Sequence, residues 1–406
     1  MAAAPAFAQP IDPATKARID RILKSTPLID GHNDLPWALR ENYGSQVEAI
    51  DVSADSDKLP KPLMTDIARL RTGRVGGQFW SVYIPAEVTG DAAIRMTIDQ
   101  IDIVKRLVGK YPGDLELATT AADVVSIHKA GRIASLIGME GGHQIGNSMA
   151  ALRAMYALGA RYMTITHSKN NDWADSATDD PKFNGLTGFG KAVVGEMNRI
   201  GMIADLSHVS PKTMKDVLAI TKAPVIFSHS DARALNDHPR NVPDDVLTLL
   251  PGNGGVVMVN FYPGHFSPAV GTWSAARDGE EARGKSRFAG QPDRRKEALE
   301  LWDKGNPRPE ASLGEVADII EHVVKVAGHD HVGIGADLDG VPYTAVGLDS
   351  VASYPLLLAE LIRRGWSDAN LAKLAGGNVL RVMRRVEALA ASMKNIAPSV
   401  ATIDKP

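Results

Sequence analysis

Six stretches of the chain place an imidazole or a carboxylate where a run of apolar residues ends. They are "LIDGHND" (28–34), "ASLIGMEGG" (134–142), "RYMTITHS" (161–168), "MIADLSHVS" (202–210), "PVIFSHSDA" (224–232) and "HVGIGADLDG" (331–340). The groups so placed are His32 and Asp34, Glu140, His167, His208, His229, and the pair Asp337 and Asp339. Residues two apart on a strand share a face, so His32 and Asp34 are expected to converge. An unpaired carboxylate buried beside an imidazole is costly, and a cation changes that balance. The chain has no Cys, so the donors are nitrogen and oxygen alone. Such a set suits zinc, and also manganese or cobalt. Two His and one Asp fill one metal site; five ligands with a carboxylate between them suit two cations about 3.5–4 Å apart. Taken singly, each residue has a plainer reading. A histidine after a strand is commonly a hydrogen-bonded rim residue, and Asp-Gly is commonly a turn. The joint placement is what points to metal-assisted chemistry. His128, His322, His329 and His331 fall on helices or loops and are expected to be solvated.

Positioning these groups requires a particular scaffold. With "GQFWSVYIP" (77–85) and "GVVMVNFYP" (255–263), the β-rich runs number eight. Amphipathic stretches lie between them at 92–110, 144–158, 186–200, 210–220 and 313–327, with closing helices at about 351–364 and 367–390. Strands alternating with helices imply right-handed βαβ units and a parallel sheet. Eight such units give a (β/α)8 TIM barrel, whose catalytic groups sit at the C-terminal face of the strands. An open doubly wound sheet would carry a glycine-rich phosphate loop after its first strand, and none follows residue 34. Residues 264–312 hold no clear strand and many charges, and read as a partly helical excursion near the barrel mouth.

The chain has 406 residues, 44% hydrophobic and 23% charged, with a net charge of −3. That composition is globular and argues against nucleic acid as a partner. No apolar run is long enough for a membrane span. Ala6-Phe7-Ala8 before Gln9 resembles the end of an export signal, so a periplasmic or secreted location is expected, with a cytoplasmic one as the alternative. Residues 1–10 are read as that remnant, 11–390 as one barrel, and 391–406 as a polar tail without a lipid-anchor signal.

The motifs "DGHNDLP", "GMEGGH", "RYMTITHS", "DLSHVS", "PVIFSHS" and "GADLDG" occur in that order, accompanied by "GGQFWSVYIP", "HPRNVPDDVL" and "VMVNFY". Together, over roughly residues 20–390, they resemble the membrane (renal) dipeptidase family of metal-dependent barrels. The resemblance implies a zinc-dependent dipeptidase with two zinc ions. His32 and Asp34 would bind one ion, His208 and His229 the other, and Glu140 would bridge them. It also implies that His167 stabilises the tetrahedral intermediate, that Asp337 shuttles the proton, and that Arg240 pairs with the substrate carboxylate. Tyr262 and His265, after the seventh run, are further candidates to touch substrate. The bridging cysteines and hydrophobic tail of the mammalian members are missing, so disulfide-linked dimers and a membrane anchor are not expected; a homodimer is. The excursion looks longer than theirs, so side-chain preference does not transfer. The family's tolerance of D-residues extends the expectation to dipeptides with a C-terminal D-residue. Two rivals stand beside this reading. One is another amidohydrolase-type enzyme (cyclic amide, lactone or β-lactam hydrolysis) with a modified Lys169 as bridge. The other is a non-catalytic binding barrel.

Overall fold

All eight apolar runs form strands, and every pairing between them is parallel. In the computed structural model, which describes residues 11–404, the strands are β1 (Leu28–Asn33), β2 (Val75–Tyr83), β3 (Leu115–Leu117), β4 (Ile133–Glu140), β5 (Ala160–Thr164), β6 (Ile203–Asp205), β7 (Ile226–Phe227), β8 (Val256–Val259) and β9 (Val332–Ile334). Hydrogen bonding runs β2-β1-β9-β8-β7-β6-β5-β4, and seven further pairs between β2 and β4, from Gly77↔Ala134 to Tyr83↔Glu140, close the ring. The result is the (β/α)8 barrel that the alternating pattern predicts. The unforeseen strand, β3, pairs with Ile133–Ser135 of β4, short of where β5 takes over at Ile137. Its sequence, Leu-Glu-Leu, buries only its first residue and so leaves no apolar run to read.

Helices fill the intervals as the periodicity requires, among them Gly90–Lys110, Met149–Leu158, Gly188–Ile200, Pro211–Ile220 and Leu313–Ala327. Ser148, Thr187 and Ser210 start three of them by accepting an otherwise unpaired backbone N–H. The apolar core has two layers. Ile29, Phe79, Leu136, Tyr162, Ile226 and Met258 fill the barrel interior. Leu28, Trp80, Val82, Met163 and Val257 belong to the layer between barrel and helices.

One irregularity matters for the site. Pairing of β1 with β2 shifts register between Asp30 and Asn33. Strict alternation would put His32 on the outer face with Leu28; the shift lets it join the inner groups. Asp34 lies past the strand, as the residue before helix Leu35–Tyr43. The pair converges as expected, but through a bulge and a turn rather than through simple period-two spacing.

The excursion forms helices Pro268–Arg287 and Pro292–Gly305, with Trp273 against Trp302 (centroids 6.1 Å apart) and Arg277 bonded to Asp303 at 2.8 Å. No residue of the second helix is buried. Among the described residues no helix is long and apolar enough to cross a membrane. The signal-like residues 1–10 lie outside the described residues. Two of the histidines expected to be solvated differ: His329 packs edge-on against Trp366, 4.7 Å between centroids, and His331 is buried, with Nδ1 2.7 Å from the Gly255 carbonyl, because the turn before β9 folds under the barrel. His322 is not free either; Nε2 meets Asp244 Oδ1 at 2.8 Å.

Gly138, in β4, leaves room for the Tyr162 ring: a Cβ there would lie 2.0 Å from Tyr162 Cζ. Gly138→Ala is therefore expected to destabilise the fold by about 1–3 kcal/mol through overpacking. Urea unfolding reads this as a lower midpoint; an unchanged midpoint would contradict the packing described.

Candidate metal centre

Seven polar side chains meet above the filled interior, at the C-terminal ends of the strands. Their hub is Oε1 of Glu140, the last residue of β4. Around it stand the Nε2 atoms of His208 at 3.1 Å, His32 at 3.5 Å, His229 at 3.5 Å and His167 at 3.6 Å. Asp34 Oδ2 lies 3.1 Å from His32 Nε2, and Asp337 Oδ1 lies 4.0 Å from it. The Nε2 atoms of His208 and His229 are only 2.9 Å apart. Donor atoms of His32, Asp34 and Glu140 fall within 4.8 Å of one another, and so do those of Glu140, His167 and His208. All but His167 are buried.

The neighbours of these rings decide which nitrogen faces the hub. The Tyr162 hydroxyl lies 3.2 Å from the Gly31 carbonyl and 3.0 Å from His32 Nδ1. Its single proton goes to the carbonyl, so it accepts Nδ1–H from His32 and turns Nε2 toward the hub. Ser228 repeats the arrangement. Its hydroxyl donates to Asp205 Oδ2 at 2.7 Å and therefore accepts from His229 Nδ1 at 2.8 Å. Ser81 donates to the other oxygen of Glu140 at 3.1 Å, leaving Oε1 to the rings. Metal-binding histidines are oriented by such second contacts. None of Tyr162, Ser228, Asp205 and Ser81 is singled out by sequence. Each lies inside a β-rich run, but only the fold shows what it touches.

The backbone is held out of its relaxed state at the same places. His208 and Asp337 are non-glycine residues in the left-handed region, with φ of 67° and 63°. The His208 carbonyl is pinned by the Ala177 N–H at 2.8 Å, from the loop after β5. Gly340 admits no side chain, since a Cβ would lie 2.1 Å from Asp34 Oδ2 and 2.7 Å from Asp337 Oδ1.

Charge at the site is unbalanced in a telling way. Burial opposes a charge on Glu140, but His32, His167 and His208 outweigh it and keep the carboxylate well below its usual range. Burial likewise opposes a charge on His32, yet Tyr162, Glu140 and Asp34 together hold that ring well above the usual imidazole range. His208 and His229 are pushed well below it, by burial first. Burial lifts Asp337 to about 7, with Asp34 and Glu140 adding to the effect. Positive charge is thus wanted at the hub, while burial makes three of its imidazoles, His167, His208 and His229, resist protonation. Among the described residues, His32 Nε2, Asp34 Oδ1 and His208 Nδ1 are buried without a hydrogen-bond partner. Inward lone pairs, unpaired carboxylate oxygen and a sulfur-free donor set fit divalent cations of the zinc type.

Arg240 flanks the cluster, buried, with Nη2 donating to the His229 carbonyl at 3.3 Å and Nη1 unpaired among the described residues. Its backbone N–H donates to Nδ1 of His238, whose ring lies 4.8 Å from that of His265. Tyr262 stands 5.0 Å from His265 and 5.3 Å from Tyr343. Tyr262 and His265 therefore line the Arg240 side, with His238 and Tyr343, which sequence reading missed. Of the three aromatics of β2, Phe79 fills the interior and Trp80 the outer layer. Tyr83 alone reaches the mouth, 4.9 Å from the His167 ring. Lys169 is exposed, so a bridge made by a modified lysine has no support in this geometry.

Comparison with known proteins identifies the family. Residues 16–397 match the family model described as membrane dipeptidase (peptidase family M19). The dipeptidase verJ of Clonostachys rogersoniana is 43% identical over 385 residues, covering 92% of this chain and 88% of that protein. The crystal structure of the probable dipeptidase PvdM from Pseudomonas aeruginosa superposes with a TM-score of 0.78 at 27% identity, over 93% of this chain and 99% of that one. A metallo peptidase from Rhodobacter sphaeroides, solved with a phosphinate mimic of the dipeptide L-Ala-D-Ala, shares the fold, with a TM-score of 0.70 at 23% identity, over 89% of this chain and 99% of that one. The chain belongs to the membrane dipeptidase family, peptidase family M19, and is a metal-dependent dipeptidase.

Proposed function

We propose that the enzyme hydrolyses free dipeptides, including those with a C-terminal D-residue, using two divalent cations, zinc in the first instance. In this reading His32 and Asp34 would hold one, His208 and His229 the other, and Glu140 would be shared between them. The observation that carries this reading is the placing of four imidazole nitrogens within 3.6 Å of one carboxylate oxygen. When bound, such cations polarise a carbonyl and lower the pKa of water from 15.7 towards ~7.

The remaining steps belong to the chain's own groups. Arg240 binds the substrate's terminal carboxylate through its unpaired Nη1, as guanidinium does well. That contact sets the scissile bond one residue inward and selects short peptides. His167 Nε2, at the rim of the cluster, donates to the carbonyl oxygen as charge develops there. Asp337 Oδ1 takes the proton of the attacking water and returns it to the leaving amine nitrogen. Tyr262 and His265 wall the C-terminal residue.

The direct test is a panel of L,L and L,D dipeptides, each as the free acid and as the C-terminal amide. The relative that holds the L-Ala-D-Ala mimic sets the choice of stereochemistry. Turnover of free acids of both series is expected. In Arg240→Met, KM for the acids should rise on the order of 100-fold, the worth of a charge-assisted contact of about 2–3 kcal/mol, while the amides change little. Equal effects on acids and amides would remove Arg240 from carboxylate binding. Asp337→Asn should retain its metal and lose roughly 10²–10⁴ in kcat, the span of general acid–base catalysis. Near-normal kcat with full metal content would exclude Asp337 as the proton carrier.

A further inference from the structure

Asn260 follows β8 and is fully buried. Three hydrogen bonds hold it. Its Oδ1 accepts the Tyr262 backbone N–H at 2.6 Å. Its own backbone N–H donates to Asp231 Oδ1 at 3.1 Å. Its Nδ2 donates to Asp337 Oδ2 at 2.9 Å. The first bond fixes the amide. A flipped side chain would press NH2 against the Tyr262 N–H and set an oxygen against a carboxylate. Only one orientation satisfies both neighbours, and it engages one particular oxygen of Asp337.

Asp337 lies beyond the end of β9, in left-handed backbone. Its N–H donates to the His32 carbonyl at 3.1 Å, which places the backbone; the Asn260 amide holds the carboxylate itself. With Oδ2 held by Asn260, Oδ1 is the oxygen that faces His32 Nε2. Proton transfer depends on the carrier's lone pair lying in line with the reacting atoms, and small misplacements cost heavily.

We infer that Asn260 is a positioning residue for Asp337: by engaging Oδ2 it restricts proton exchange with water and leaving amine to Oδ1. Both polar atoms of the Asn260 amide are engaged by protein partners. Its effect passes wholly through Asp337, so the inference rests on Asp337 being the proton carrier.

The experiment is a double-mutant cycle on the metal-loaded enzyme. Asn260→Ala and the isosteric Asn260→Asp are each made alone and with Asp337→Asn. With Asp337 present, both should lower kcat roughly 10- to 100-fold, with KM and metal content within twofold of the parent. With Asp337→Asn, the same changes should alter the residual kcat less than twofold. The isosteric variant keeps the acceptor for Tyr262 and carries the test if the alanine variant does not fold. Equal losses in both backgrounds, a rise in KM with kcat retained, or no loss at all would overturn the positioning role. Full turnover in the single Asp337→Asn variant would instead remove the proton carrier itself, so the two failures are distinguishable.

Discussion

Everything at the mouth of this barrel depends on one electrostatic demand. A single carboxylate oxygen of Glu140 sits among four imidazole nitrogens, in a space from which water is largely excluded. Tyr162 and Ser228 turn the Nε2 atoms of His32 and His229 inward, and two ring nitrogens approach to 2.9 Å. Such an arrangement is poor for protein alone. Each buried polar atom left without a partner costs about 1–3 kcal/mol, and lone pairs that face one another repel. Divalent cations turn the same geometry into an asset, and their binding free energy becomes folding free energy. The left-handed backbone at His208 and Asp337 fits this view, since strain persists where surrounding contacts fix it.

The barrel divides its work by depth. Two other buried carboxylates serve the scaffold. Asp30 accepts from Gln78 at 2.9 Å, Tyr354 at 2.8 Å and the Ala336 N–H at 2.8 Å. Asp205 accepts from Thr164 at 2.5 Å, from the Ser228 hydroxyl at 2.7 Å and from the Ser228 N–H at 2.8 Å. Satisfied on these sides, both tie strands to one another, and Asp30 also ties them to the helix that begins at Tyr354. Asp205 also reaches the site indirectly, by settling which way Ser228 donates. By contrast, Glu140, whose Oε2 takes the Ser81 hydroxyl, keeps Oε1 among ring nitrogens alone, and Asp34 Oδ1 has no partner among the described residues. That difference separates carboxylates that hold the fold from those proposed to hold ions.

Much of this was legible in sequence, for a physical reason. Parallel barrel strands are buried on both faces and so appear as continuous apolar runs, and function collects where those runs end. His32, Glu140, His208 and His229 could therefore be placed by eye, and motif resemblance supplied Asp337 and Arg240. Contacts between strands far apart in sequence were not legible. Tyr162 reads as one more aromatic in a strand until its hydroxyl is seen against His32. Asn260 reads as one more residue of the β-rich run 255–263 until its amide is seen against Asp337. Local irregularity escaped as well. Period-two spacing brought His32 and Asp34 together on paper, whereas the protein does so with a register shift and a helix start. Three-residue β3 and the buried His331 lacked any compositional mark.

The central claim, that Glu140 joins two cations, is tested most directly by zinc titration of the metal-stripped protein, read by calorimetry and by bound metal per chain. The account predicts two equivalents bound by the wild-type chain, with Glu140→Ala losing affinity at both sites at once. Two equivalents bound undiminished by Glu140→Ala, or no more than one bound by the wild-type chain, would contradict it.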